Sequence, residues 1–411
     1  MALVFPFQAV RPRRQFVSRV AALPYDVMNR QEAQSAVHGN PLSFLHVEKS
    51  EIDVLDTVKS NDKLIYETAK LNFVRMQEEG ILFQEKSPCF YIYRQQLDSQ
   101  IQTGIVGLIS AREYDEGKIK KHELTRKDKE DDRICHVNTV NAQTGPVFVT
   151  YLSHPRLNAA VDRVRAGEPE YNFTTDDGVI HTVWIVSDIL RIEEIKNEFS
   201  GIDSLYIADG HHRAAAAAAV ARMRRQAGGS AACGEYEKVL AVIFPHNQLK
   251  VMDYNRAVKD LNGLTPQEFK EKISSRFTIR EDFAGKLPQR FHDFGMYLQG
   301  KWYLLTIREG VYNDRDPVAR LDAAILQEHL LAPVLGINDP RTDDRIKFVG
   351  GIRGMAELEK LVNEDGFAVS FSLYPTSIEQ VMQVADAGAI MPPKSTWFEP
   401  KLRSGIFVHK L

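Results

Sequence analysis

The stretch Ser204-Leu205-Tyr206-Ile207-Ala208-Asp209-Gly210-His211-His212-Arg213, running on into Ala214 to Ala219 and Val220, decides how the chain is read. The apolar run Leu205 to Ala208 predicts a buried strand. Asp209-Gly210 ends it, and six consecutive alanines predict a helix, because alanine has the best intrinsic helix propensity. The turn between them gathers an acid, a glycine, two histidines and an arginine. Gly210 allows close approach of the backbone to a ligand, the first helical N–H groups lack partners, and Arg213 adds a rigid positive fork. Such a strand–turn–helix junction is an anion cradle, above all for phosphate. A capped helix start with space-filling histidines is the competing reading, but capping needs fewer special residues than these five. Arg213 is the candidate for bidentate contact with phosphate oxygens; His211 and His212 either donate to the same oxygens or one of them is structural. Asp209 either accepts from a substrate hydroxyl or holds Mg²⁺ through water. There is no Walker loop and no Rossmann glycine fingerprint, so a nucleotide bound here is bound without either.

On both sides of this junction, strands expected at 147–151, 181–186 and 239–244 alternate with helical segments, which indicates an α/β or mixed α+β core. A loop with Gly-Gly-Ser at 228–230 separates the poly-alanine helix from the last of these strands. Upstream, residues 118–133 form a charged run with the composition of a solvated helix. It contains His122-Glu123-x-Thr125, with Arg126 and Lys127 behind and Asp132-Arg133 further on. A lone glutamate in such a run normally faces solvent. Glu123 differs in lying at a strand-to-helix transition among positive neighbours, which suits an ionised general base. Thr125 either lines the site or caps the helix that follows. His122, His211 and His212 are the possible metal ligands, although adjacent His211-His212 does not set two imidazoles on one helix face as zinc motifs do.

Length and composition set the outer bounds. The 411 residues suffice for two or three domains, and 44% hydrophobic with 26% charged residues is ordinary for a globular protein. The expected division is an N-terminal α/β region at 1–115, a core at 116–250 and a C-terminal α/β region at 251–411. A net charge of −3 gives no general attraction to nucleic acid. Cys89, Cys135 and Cys233 are widely spaced, which argues against a disulfide framework or a cysteine-built zinc site. No apolar run approaches the roughly 20 residues of a membrane span, and the start lacks a secretory pattern, so the expected location is the cytoplasm.

Further candidates lie far from the central junction in sequence. Near the N-terminus, Pro24-Tyr25-Asp26 forms a turn before a helix capped by Asn29, and Ser43-Phe44-Leu45-His46-Val47 follows. Asp26 and His46 are either substrate contacts or satisfied polar groups. Residues 61–80 have helical spacing, and strands at 89–93 and 103–110 pair across a polar turn near Asp98. Beyond Pro245, Thr265-Pro266-Gln267-Glu268 starts a helix, 302–307 is a strand, and 321–331 an amphipathic helix. The run Met391 to Gly405 is too proline-rich for a helix or a central strand; it either packs on a domain surface or reaches into a site, and its bunched cations Lys394, Lys401 and Arg403 favour the latter, with Lys394 and Arg403 as candidates for a covering loop.

Pro24-Tyr25-Asp26-Val27, Ser43 to Val47, His122-Glu123-x-Thr125, Tyr206 to Arg213, Asp253-Tyr254-Asn255-Arg256 and Met391 to Gly405 together resemble the uncharacterised bacterial and archaeal proteins grouped as domain of unknown function 1015. The central segment is also similar to the ParB/sulfiredoxin superfamily, in which a strand leads into a turn that grips nucleotide phosphates at a helix N-terminus. Asp-Gly-His-His-Arg holds that position in the superfamily's free-serine kinases. The resemblance implies phosphate binding by Gly210, His211, His212 and Arg213, with Thr125 and Arg133 beside them. It implies Glu123 as the base that takes the serine proton, Asp209 as a further catalytic or Mg²⁺-binding residue, and ATP or ADP as donor. His211 stands where sulfiredoxin-like proteins carry cysteine, which disfavours thiol chemistry, and no helix-turn-helix domain of the partition proteins is evident. Two functions follow: a kinase acting on a small hydroxyl compound such as free L-serine, or a ParB-like nucleotide-binding regulator without a catalytic product. The partners expected are an amino acid and a nucleotide, with a homodimer through the C-terminal region as a further possibility and neither membrane nor nucleic acid.

Overall fold

The computed structural model describes residues 2–59, 61–228 and 234–411, which leaves the 229–230 part of the expected glycine loop and Cys233 outside the described residues. The chain forms two compact units, one from Met1–Leu249 with Pro400–Leu411, the other from Lys250–Glu399. Both mix helices with sheets, as the sequence predicts.

The first unit is built on a mixed sheet, nine-stranded among the described residues. Its strands are β1 (Val4–Phe5), β2 (Phe90–Leu97), β3 (Gln100–Ser110), β4 (Ile119–Lys120), β5 (Val147–Tyr151), β6 (Tyr171–Thr174), β7 (Ile180–Val186), β8 (Leu205–Asp209) and β9 (Lys238–Pro245). They lie in the order β4-β8-β5-β9-β3-β2-β7-β6, with β1 added on β3. β2 and β3 form the expected hairpin, Tyr91 facing Val106 through Leu97 facing Gln100, and Asp98 takes the left-handed turn conformation at φ 51°. Because β1, β2 and β3 share this sheet with β4 to β9, residues before 116 fold together with those after it.

Three helices of this unit frame the site: α1 (Lys63–Glu78), α2 (Lys127–Val140) and α3 (His211–Gly228). Ala214 to Ala221 are all buried, and Ala214, Ala217 and Ala221 pack in one core with Val147, Ile207 and Ala241. Methyl side chains let α3 lie close on the sheet, so the alanine run serves packing as well as helix propensity. The charged run 118–133 divides: Ile119–Lys120 pairs with β8, and only the part from Lys127 becomes helix, packing along α3. No helix among the described residues is long and apolar enough to cross a membrane.

The second unit carries a sheet that is six-stranded and antiparallel among the described residues, with Phe294, Met296, Leu305 and Phe371 buried in its core. Thr265 and Glu268 form a capping box on the helix Pro266–Ser274, the start expected from the sequence. The segment expected as one helix at 321–331 is α-helical only over Asp322–Leu326 and widens to a π-turn over Gln327–Leu331. Asp322 at its start is buried; Oδ1 accepts the His292 N–H at 2.9 Å, and Oδ2 has no partner among the described residues. Burial pushes this carboxyl up to about 8, Asp293 adds to the rise and the His292 N–H opposes it. The folded state therefore holds a proton that the unfolded chain releases near pH ~4. That contribution is complete below about pH 4 and is lost as pH climbs toward about 8. Thermal stability of the parent is expected to fall across this window relative to Asp322→Asn; parallel pH profiles would contradict it.

Candidate active site

The register of the first sheet assembles the site. β8 runs parallel to β4, Leu205 beside Ile119 and Tyr206 beside Lys120, so the segments leaving both strands emerge at one edge. These segments are Asp209-Gly210-His211 and His122-Glu123. β5 is antiparallel to β8, which brings Gly145-Pro146, just before its first residue, to the same edge. Ligands of α/β sheets bind at such carboxyl ends of strands.

Gly210 makes the turn into α3 at φ 86°, a conformation open to glycine, and its carbonyl accepts the first intrahelical hydrogen bond from the Ala214 N–H at 3.1 Å. The N–H groups of the first helical turn thus have no acceptor within the helix itself. Arg213 points back over the edge. Its Nη1 donates to the Pro146 carbonyl at 2.8 Å, its Nη2 lies 3.5 Å from Asp26 Oδ1, and its buried Nε has no hydrogen-bond partner among the described residues. Asp26 therefore reaches the site from 187 residues away in the chain.

Around Arg213 sits a second cation with its own counter-ion. Arg133 on α2 stacks over Tyr25 with its guanidinium carbon 4.0 Å from the ring centroid, Arg213 lies 5.6 Å from the same ring, and Arg133 pairs with Asp132 at 2.7 Å. The buried Glu48 carboxylate lies 3.8 Å from Arg133 Nη1. Burial alone would raise Glu48, but His136, Arg213 and Arg133, with a Thr144 hydrogen bond, hold it below the usual carboxylate range. Gly145 admits this arrangement: a Cβ there would meet Glu48 Oε1 at 2.9 Å and lie 3.6 Å from Arg213 Cζ. Tyr25, Glu48, Arg133 and His136 also line a cavity of about 470 Å³, with Lys49, Tyr66, Lys129 and Asp132 among its other walls. Small-molecule sites have this size.

Asp209 is engaged on both oxygens. Oδ2 pairs with Lys401 Nζ at 2.8 Å and Oδ1 accepts the Gly210 N–H at 2.8 Å. Burial would raise this carboxyl, but Lys401, then Arg213 and the Gly210 N–H, hold it well below the usual range. Its oxygens serve the lysine and the turn, an arrangement that does not fit a bound Mg²⁺. Lys401 belongs to the C-terminal return of the chain into the first unit.

His211 turns inward instead of outward. Its ring meets His122 edge to face at 4.5 Å, and its Nδ1 is 4.0 Å from Glu123 Oε2. Burial lowers His122 to about 4 and His211 well below its ordinary value, the neighbouring His122 adding to the latter. Both imidazoles are therefore neutral at pH 7. His212 accepts the Arg126 N–H on Nε2 at 3.0 Å, tying α3 to the start of α2. Thr125 donates to Glu130 at 2.7 Å, and the N-cap of α2 is Arg126, without a side-chain cap.

The remaining sequence candidates stand elsewhere. His46 pairs with Asp53 at 2.8 Å. Arg403 is buried against the β6–β7 hairpin, bonding Thr175 at 3.1 Å and pairing with Asp177. Lys394 is in the second unit, its ammonium 5.8 Å from the Tyr254 ring centroid. Glu48 and the reach of Lys401 to Asp209 are the residues that sequence reasoning missed. Glu48 directly follows the quoted Ser43–Val47 motif, but only the fold reveals that it faces two arginines.

The first unit is thus a mixed α/β scaffold with a strand–turn–helix junction at one sheet edge, lined by His122, Glu123, His211 and Arg213. The chain belongs to the family described as "Protein of unknown function (DUF1015)", which matches residues 4–324. No curated protein matches it in sequence. Among solved structures it is similar to a free serine kinase in complex with AMP, at 16% identity and TM-score 0.35, covering 71% of this chain and 86% of that one. A conserved hypothetical protein from Pyrococcus furiosus gives 15% identity and TM-score 0.36, covering 74% and 95%. C-terminally truncated SbnI from Staphylococcus aureus gives 12% and 0.37, covering 72% and 82%. Likenesses at these TM-scores do not decide an activity, which has to be read from the site.

Proposed function

We propose that the protein is a nucleotide-dependent phosphotransferase with a ParB/sulfiredoxin-like site, which phosphorylates a small hydroxyl compound, free L-serine being the leading acceptor. The observation that carries the reading is the half-buried Arg213, whose buried Nε has no partner among the described residues and which stands in the first turn of α3. A fixed guanidinium next to a helix N-terminus favours phosphate oxygens over neutral ligands. ATP or ADP enters as its Mg²⁺ complex, so that Mg²⁺ belongs to the substrate; no role is assigned to Asp209 as its ligand. Phosphoryl transfer asks the protein mainly for positioning and charge stabilisation. Arg213 and the α3 N–H groups stabilise the charge on the transferring group, and Glu123, at the same edge, takes the hydroxyl proton. The cavity beside Tyr25 and Arg133 gives the acceptor room.

The test is incubation with Mg²⁺, ATP or ADP and a panel of amino acids, read by phosphorus NMR. Enzyme-dependent O-phosphoserine supports the reading. Saturable nucleotide binding without a phosphorylated small molecule supports a non-catalytic regulator instead. Glu123→Gln is expected to lower turnover at least about tenfold with nucleotide affinity changed less than about twofold. Undiminished turnover removes Glu123 from the mechanism.

A further inference from the structure

We propose that His122, Glu123 and His211 form a site for one divalent transition-metal cation of the zinc class. One ligand atom from each residue lies within 4.8 Å of the others. A cation held at ~2.0–2.2 Å by each would need them roughly 3.3 Å apart, a closure within reach of side-chain rotation. A second observation is independent of that spacing. Both imidazoles are nearly fully buried, at 2% and 4% exposure, yet Nδ1 and Nε2 of His122 and Nε2 of His211 have no hydrogen-bond partner among the described residues. The Ile207 carbonyl adjoins the His122 ring without making a hydrogen bond of normal geometry. Buried polar atoms left without partners destabilise a fold, and a cation occupies an imidazole lone pair that nothing else uses.

The donor set selects the ion. Two imidazoles and one carboxylate suit zinc and its first-row neighbours, whereas Mg²⁺ prefers an all-oxygen shell. Three protein ligands leave a coordination position open for water or a substrate oxygen. Glu123 has two oxygens, so binding through one leaves the other able to accept a proton. The pairing that matters joins His122 to His211, 89 positions apart, and not the adjacent His211-His212 of the sequence motif.

The experiment strips the full chain with chelator, adds Zn²⁺ or Co²⁺ without nucleotide, and measures bound metal after gel filtration. About one ion per chain is expected. His122→Ala and His211→Ala are each expected to weaken binding at least ~100-fold, with His154→Ala unchanged. X-ray absorption of the zinc-loaded parent, which needs no variant to fold, is expected to show nitrogen and oxygen at ~2.0 Å and no sulfur at ~2.3 Å. Absence of saturable binding, a sulfur shell, or undiminished affinity in cooperatively folded His122→Ala and His211→Ala overturns the proposal. Because nucleotide is absent, failure here leaves the phosphoryl-transfer reading standing, and an inactive protein that still holds zinc overturns only that reading.

Discussion

Arg213→Ala is expected to weaken binding of ATP and ADP about 100-fold, measured by calorimetric titration of the full chain. Charge-assisted hydrogen bonds contribute roughly 1.5–3 kcal/mol each, and about 2.7 kcal/mol corresponds to that factor. The side chain is already fixed by the Pro146 carbonyl and Asp26, so little conformational freedom is lost when phosphate arrives. Arg213→Lys keeps the charge without the planar fork, and is expected to recover only part of the loss. Affinity unchanged in a folded Arg213→Ala protein would remove this residue from the phosphate site.

Glu48→Ala is expected to destabilise the first unit by about 3–5 kcal/mol, the usual result of leaving buried charges without their partner. Glu48 faces Arg133 at 3.8 Å and stands within the field of Arg213, so its removal exposes both guanidinium groups to mutual repulsion in a water-poor space. Urea unfolding checks this. Glu48→Gln keeps the shape and can still bond Thr144, and is expected to cost less. A loss under about 1 kcal/mol for Glu48→Ala would mean that solvent or Asp26 and Asp132 already balance the arginines.

What could be read from the sequence was local. The strand at Leu205 and the helix after Gly210 declare themselves through an apolar run, an obligate turn residue and a propensity-rich repeat, and they stand as expected. The hairpin around Asp98 and the capped start at Thr265 were legible for the same reason, since each is encoded within a few residues. The strand-to-helix transition expected at Glu123 stands, but the composition of 118–133 does not show where the strand lies, because Ile119–Lys120 exists only by pairing with β8. That pairing sets His122 and Glu123 beside His211. Long-range events were not legible either: the union of β1 to β3 with the later strands, the return of residues 400–411 to the first unit, and the burial of Arg403 against Asp177. None leaves a local pattern, because the partners are far apart in the chain, Ile180 beside Gln96 and Arg403 beside Asp177 among them. The resemblance supplied the roles of the motif residues, but not the inward turn of His211 or the lysine partner of Asp209.

The central claim is that the turn after β8 and the guanidinium of Arg213 grasp a polyphosphate. A crystal structure of the full chain with a non-hydrolysable ATP analogue and Mg²⁺ tests it most directly. The expected result is phosphate oxygens within hydrogen-bonding distance of Arg213 Nε and of the N–H groups that open α3. An analogue seated away from that sheet edge, with Arg213 still bound only to Pro146 and Asp26, would contradict it.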